Sequence, residues 1–299
     1  MFAAIGRSFR LIGESYRVLR QDPELIWLAL ASFVAVTFVA VVLGGFGLSI
    51  GAFGANEEPV SGPGYALIVI GYFLGYFAII YFQVALVAAV MHRMDGNDPD
   101  IRYALGQANR RLGAIIMWAA IAATVGLLLR ALESMARGQE GPGRIVASIV
   151  VSLLGIAWSL MVFFVIPVIV VEQTTGVEAI KRSSRTLKEK FGEAIIGNQG
   201  IGLIMFLAIF VFAGIPLFIG FTVWNASALV GSVIIVVAMG LGVLIAAGGS
   251  ALDSTYRAVL YRYATVGESG EFSREVLDSA FRPSGDLRRQ GGGGLGGSN

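Results

Sequence analysis

The sequence predicts an all-α fold, a polytopic membrane helix bundle with about six transmembrane helices. Of its 299 residues, 56% are hydrophobic and only 14% are charged, against about a quarter charged in ordinary soluble domains. Uncharged apolar stretches recur along the chain, and several reach the roughly 20 residues that a helix needs to cross the hydrocarbon core. These stretches are continuous rather than alternating and are too long for barrel strands, so helical spans are predicted.

The six spans follow one another within one predicted integral membrane domain, residues 1–282. Arg130 interrupts the third span. No charged residue occurs from 194 to 252, so the division between the fifth and sixth spans rests on a break near Trp224. The Gly-rich tail, residues 283–299, has too few apolar residues to bury itself and is predicted to be disordered. The predicted spans lie near residues 26–53, 65–91, 112–132, 145–171, 195–221 and 226–247.

The distribution of positive charge predicts the orientation of these spans. Nineteen of the 22 lysines and arginines lie in the two terminal segments and in the loops after the second and fourth spans, whereas the opposite loops hold three. Because cytoplasmic loops of inner-membrane proteins are enriched in these residues, both termini are predicted to be cytoplasmic. We expect a prokaryotic inner-membrane protein without a cleaved signal peptide.

The cytoplasmic segments are predicted to form short amphipathic helices and a threefold repeat. Residues 11–19, 104–112 and 179–187 share aliphatic, small or polar, Arg and Leu positions, and each segment precedes two spans. Three units of a short helix plus a hairpin are therefore predicted, with chance similarity among amphipathic helices as the alternative. Asp98 and Asp100 mark a helix start around a proline. The basic helices either lie on anionic lipid headgroups or pack on neighbouring spans.

Polar residues within the apolar stretches are candidates for functional or structural roles. Gln83, in the second span, is predicted to bond to another helix in preference to a ligand. Asn198 opens the fifth span, where capping or headgroup contact is favoured over a ligand site. Asp253 and Arg257 have the four-residue spacing of an ion pair within one helix.

The end of the fourth span contains a proline and an acid. Pro167, like Pro216 in the fifth span, removes a backbone donor and is predicted to kink its helix. Glu172 ends the span, and we expect it to pair with a basic residue such as Lys181 or Arg185. Coupling to ions or protons is the alternative, because transporters use kinked helices at substrate sites.

The search for catalytic and metal-binding motifs is negative. The chain has no cysteine and one histidine, His92, and it contains no Walker loop, HExxH or Rossmann fingerprint. We therefore predict no catalytic, cofactor or metal site. The net charge of +2 gives no reason to expect a nucleic-acid partner.

The stretch 167–172, continued by 176–184, resembles a pattern of several prokaryotic membrane families, in which a span ends in Pro and an acid and Glu-Ala-hydrophobic-Lys/Arg-Arg-Ser follows. The membrane domain attached to some glycerophosphodiester phosphodiesterases has this pattern without being their catalytic part. Over about 5–265 the chain most resembles an uncharacterised family of six-span bacterial and archaeal integral membrane proteins. The resemblance implies no activity. It marks Pro167, Glu172, Arg182 and Ser183 as family-like positions.

Three functions remain open from the sequence. The first hypothesis is a non-enzymatic protein that organises the membrane, with anionic headgroups at its basic helices and a protein partner or second copy as further partners. The alternative is a small transporter or channel whose path follows the kinked fourth span, with Gln83 and Glu172 beside it. A membrane-embedded enzyme is the third, and it needs Glu172, Asp253 and His92 to converge.

Overall fold

The computed structural model describes residues 24–53, 60–138, 141–191 and 206–267. These residues are helical apart from short turns, and no strand occurs in these ranges, so the predicted all-α fold is confirmed. Six helical stretches are long and apolar enough to span a membrane, which confirms a multi-pass membrane protein. They are Leu25–Ser49, Gly62–Met94, Leu112–Arg137, Gly143–Glu172, Phe206–Trp224 and Ala228–Val266.

The helices are numbered in chain order. Two short helices, α3 and α7, occur where cytoplasmic helices are predicted, and α3 is capped as expected by Asp100, whose Oδ1 accepts a hydrogen bond from Tyr103 N at 2.5 Å. The bounds are α1 Glu24–Ser49, α2 Gly62–Met94, α3 Ile101–Arg110, α4 Leu112–Arg137, α5 Pro142–Met161, α6 Val165–Glu172, α7 Gly176–Phe191, α8 Ile215–Trp224 and α9 Ala228–Val266.

The chain divides into two compact units, one of residues 22–185 and one of residues 1–21 and 186–299. In the first unit, α2 is the central helix and packs against α1, α3, α4 and α6, while α5 packs against α4. The predicted single domain, residues 1–282, stays a prediction. The predicted tail, 283–299, and the first segment of the predicted repeat lie outside the described residues.

The buried core of the first unit is concentrated at one end of the helices. All eight residues from 84 to 91 of α2 are buried, as are most residues of α6 and the positions Ala114, Ile115 and Trp118 at the start of α4. Trp118 stacks on Trp158, near the end of α5, with ring centroids 5.9 Å apart. Since α2 and α5 end where α4 begins, this packed end is the one that charge predicts to be cytoplasmic.

The other parts of the spans expose apolar side chains. Ile145, Ile149 and Leu153 of α5 are each more than half exposed, and a face of this kind must be covered by something other than water. The 20 residues of α5 give a length of about 30 Å, which matches the hydrocarbon core. Lipid therefore covers this surface.

In the second unit, α8 packs against α9 at close range. A Cβ on Gly231 would lie 2.7 Å from Trp224 Cα, so only glycine permits this approach. Pro216 follows the π-helical segment Phe210–Gly214 within one continuous helical stretch, Phe206–Trp224. The predicted irregularity at Pro216 is therefore a π-helical turn.

Candidate functional site

The fourth span is broken into two helices. Helix α5 ends at Met161, residues 162–164 form a turn, and α6 begins at Val165. Pro167 is the third residue of α6, where its missing N–H needs no helical partner, and its ring excludes a regular helix one turn upstream. The irregularity predicted at Pro167 takes the form of a tight turn, in which Phe163 N bonds to the Leu160 carbonyl and Val165 N to the Val162 carbonyl.

Two serines of α7 bond to backbone groups at this break. Ser183 Oγ accepts a hydrogen bond from Phe164 N at 3.0 Å, and Ser184 Oγ donates to the Met161 carbonyl at 3.3 Å. Ser183 is completely buried. A buried N–H without a partner costs about 1–3 kcal/mol, so Ser183 stabilises the turn that Pro167 requires.

Glu172 and Arg182 form an ion pair between the end of α6 and α7. Glu172 Oε2 accepts a hydrogen bond from Arg182 Nη1, and Arg182 Nε also donates to Glu178 Oε1 at 3.1 Å. The hydrogen bonds to the carboxylates of Glu172 and then Glu178 raise the pKa of Arg182 above its ordinary value. The predicted pairing of Glu172 with a basic residue is confirmed, but the bonded partner is Arg182 rather than Lys181 or Arg185.

The orientation of α7 about its axis explains this choice of partner. Ala179 and Ser183 are buried, so the face that contains them packs against the first unit. All three of these basic residues are exposed, but Arg182 lies next to Ser183 on the side of Glu172 and bonds to it. The sequence shows the charges but not which face of the helix packs.

Arg111 also bonds to the C-terminal end of α6. Its Nη2 donates to the Val170 carbonyl at 2.8 Å, and its Nη1 donates to the carbonyl and Oε1 of Gln107, at 3.0 and 2.7 Å. Val170 is in the last turn of α6, whose carbonyls have no partners within the helix. Burial lowers the pKa of Arg111 from its ordinary value. In the sequence Arg111 stands out only as one of the loop cations, although its four-residue spacing from Gln107 is that of two side chains that can bond on one helix face.

A cavity of about 550 Å³ lies beside Arg111, between the junction of α3 with α4 and the end of α6. One side of it is polar and basic, and the other side is apolar. Its polar lining is Gln107, Arg110, Arg111, Gln173 and Thr175, and the remainder is Gly113, Ala114, Met117 and Ile169.

The loop from α6 to α7 forms one wall of this cavity and is pressed against α4. Gln173 has a left-handed backbone, with φ 54° and ψ 28°, which is costly for a residue with a side chain. Gly176 has φ 55°, and a Cβ there would collide with Met117 Sδ. The positive φ favours glycine at 176, and a larger residue there would also have to displace the Met117 side chain.

The other predicted positions lie apart from this arrangement or outside the described residues. Asp253 and Arg257 form the predicted ion pair in α9, with Oδ2 and Nε 2.8 Å apart. Gln83 is partly buried in α2 and makes no hydrogen bond to another residue in the described ranges. His92 stacks on Tyr103, with ring centroids 3.9 Å apart. Asn198 lies outside the described residues.

Residues 63–272 match the model of a family described as Family of unknown function (DUF6159), over more than half of the chain. The chain belongs to DUF6159. The broken span, its serine and arginine bonds and the cavity all lie inside the region that matches DUF6159. Comparison with curated proteins gives no match. Membership of an uncharacterised family is confirmed, and similarity to the membrane domain attached to some glycerophosphodiester phosphodiesterases stays a prediction.

Proposed function

We propose that this DUF6159 protein is a non-enzymatic inner-membrane protein of a prokaryote that organises anionic lipid around the cytoplasmic ends of its spans. Both termini are cytoplasmic in this proposal. One observation carries it: the short helices α3 and α7 bury small residues and expose cations.

The two helices share this arrangement of buried and exposed residues. The buried pairs are four residues apart, Ala104 and Ala108 in α3 and Ala179 and Ser183 in α7. Such a narrow face of small residues brings each helix close to the packed end of the spans, and it leaves the long basic side chains on the outside. These exposed cations are Arg102, Arg110, Lys181, Arg185 and Lys188.

Electrostatics connects these cations to lipid. A basic residue at the surface of an anionic membrane contributes about 1 kcal/mol of attraction, and the effect falls off within a Debye length. Nineteen of the 22 lysines and arginines are in segments predicted to be cytoplasmic. The cations on α3 and α7 therefore suit the anionic inner leaflet.

The broken fourth span favours this role over transport. A transporter uses the backbone groups freed at a kink to bind its substrate. Here Ser183 and Ser184 already bond to Phe164 N and the Met161 carbonyl, and Glu172 is bonded to Arg182. The groups that the transport alternative would use are engaged by the protein itself.

The test uses the full-length protein in vesicles with spin-labelled lipids. We expect the motionally restricted lipid at the protein surface to favour phosphatidylglycerol over phosphatidylcholine at low salt, with the preference falling as salt rises. A K181Q/R185Q/K188Q variant should reduce the preference by at least about twofold. The charge-conserving control K181R/R185K/K188R should keep it. Equal restriction of the two lipids around the unmodified protein at low salt would overturn the proposal.

A further inference from the structure

The cavity beside Arg111 concentrates positive charge without a carboxylate. The hydrogen bonds of Arg111 to described residues go to neutral acceptors, the side chain and carbonyl of Gln107 and the carbonyl of Val170. Arg110 adds a second cation to the lining, and no acidic residue lines the cavity in the described part of the chain. A partly buried cation beside a like charge is unfavourable. An anion in the cavity would offset this cost.

Arg111 also has one donor that its bonds to Gln107 and Val170 leave unused. Its Nε is buried and has no hydrogen-bond partner among the described residues. Buried donors are rarely left without a partner in folded proteins. The planar guanidinium fits the paired oxygens of a phosphate, and Arg110 adjoins it on the same cavity.

The apolar side of the cavity indicates more than a free phosphate. Its volume of about 550 Å³ is that of a site for a small molecule. Met117, on the apolar side, is 47% exposed, and the neighbouring Ile116 is 48% exposed. An apolar surface thus continues from the cavity along the lipid-facing side of α4, where acyl chains would lie.

We propose that this cavity binds the phosphate-bearing headgroup of one anionic phospholipid of the inner leaflet. Arg110 and Arg111 contact the phosphate, and Gln173 and Thr175 bond to the polar substituents of the headgroup. The acyl chains leave past Met117 along α4. This site rests on the proposed lipid-organising function and makes part of it specific, in contrast to the diffuse attraction by exposed cations.

The test titrates the delipidated full-length protein in detergent with phosphatidylglycerol, phosphatidylcholine, glycerol 1-phosphate and inorganic phosphate. Native mass spectrometry counts bound lipid, and thermal unfolding measures the stabilisation. We expect one phosphatidylglycerol to bind at least tenfold more tightly than phosphatidylcholine and than either soluble phosphate, because only the lipid uses both sides of the cavity.

Two arginines of α3 distinguish a site from a diffuse surface. Arg110→Gln should weaken phosphatidylglycerol binding at least tenfold, while Arg102→Gln, an exposed arginine of the same helix outside the cavity, should change it less than twofold. Arg111→Lys keeps the charge but not the planar donors, and it should weaken binding as well. The thermal unfolding of each variant without lipid shows that it is folded.

The outcomes separate this proposal from the one above. Equal effects of R110Q and R102Q, or unchanged binding in R110Q, would overturn the headgroup site while the preference for anionic lipid in vesicles still stands. Binding of inorganic phosphate or glycerol 1-phosphate as tight as that of the lipid would overturn the lipid as occupant. Loss of the anionic preference in vesicles, with one tightly bound phosphatidylglycerol retained, would overturn the general function and support the site.

Discussion

Ser183 Oγ accepts a hydrogen bond from the backbone N–H of Phe164, 3.0 Å away, across the turn at which the fourth span breaks. Pro167 and Ser183 are 16 positions apart in the sequence, but both lie at this turn in the structure. The proline makes a regular helix impossible at this point, and the serine from α7 stabilises the irregular turn that results. Two of the family-like positions, Pro167 and Ser183, therefore have a structural explanation at this turn.

Ser183→Ala is predicted to destabilise the protein by about 1–2 kcal/mol, because it removes the acceptor of a buried N–H. Unfolding by sodium dodecyl sulfate in mixed micelles, followed by circular dichroism, measures the change. The matched control is Ser184→Ala, whose hydroxyl donates over 3.3 Å and is less buried. A loss in S184A as large as that in S183A would contradict the prediction.

Pro167→Ala is predicted to reduce the importance of Ser183. With an N–H restored at 167 and the ring removed, the chain from α5 to α6 can adopt a more regular helix, in which Phe164 N has an acceptor of its own. The cost of S183A should therefore be smaller in P167A than in the natural sequence, by at least about 0.5 kcal/mol. Additive effects in this double-mutant cycle would show that the two residues act independently.

Arg182→Gln is predicted to lower the unfolding temperature more than Glu178→Gln. The first change removes the cation that both carboxylates contact, and the second leaves the bond between Arg182 and Glu172 in place. Similar decreases in unfolding temperature in R182Q and E178Q would contradict the prediction that the ion pair of Arg182 with Glu172 contributes to stability beyond its pair with Glu178.

The raised pKa of Arg182 also predicts how this difference depends on pH. Stabilisation by the protonated arginine is complete at pH values below its ordinary pKa and is lost only as pH rises through the higher pKa of the folded state. The difference in unfolding temperature between R182Q and the natural sequence should therefore be the same at pH 7 and pH 9. A difference in unfolding temperature that becomes smaller between pH 7 and pH 9 would contradict the raised pKa of Arg182.

Gln173→Gly and Gln173→Ala form a pair that separates backbone strain from side-chain contact. Both remove the amide from the cavity, so both should weaken phosphatidylglycerol binding to the same extent. The glycine variant should be the more stable by about 1 kcal/mol, because position 173 has φ 54°. Equal thermal stability of the two variants would show that the left-handed backbone is not strained.

The spans could be predicted from the sequence because length and apolarity are local properties. The start of α4 at Leu112 agrees with the predicted start of the third span, and the irregularity near Pro167 follows from another local signal, the proline itself. The end of α9 was not, because the predicted sixth span stops at 247 and the helix continues to Val266. Polar residues show where a helix leaves the membrane, but they do not show where the helix itself ends.

The contacts between segments could not be predicted in the same way. The bond from Arg111 to Val170 joins residues 59 positions apart, and the pair of Glu172 with Arg182 depends on the rotation of α7 about its axis. Both are set by which faces pack together. A single sequence gives the periodicity of a face but not its neighbour.

The concentration of buried residues at one end of the first unit has a consequence for its response to the bilayer. The eight consecutive buried residues of α2, from 84 to 91, fix the helices firmly at that end, while α5 exposes most of its length. Changes in helix tilt are one way in which spans adjust to membrane thickness, at a modest cost in free energy. The far ends of these helices can therefore splay or converge with membrane thickness while the packed end keeps its geometry.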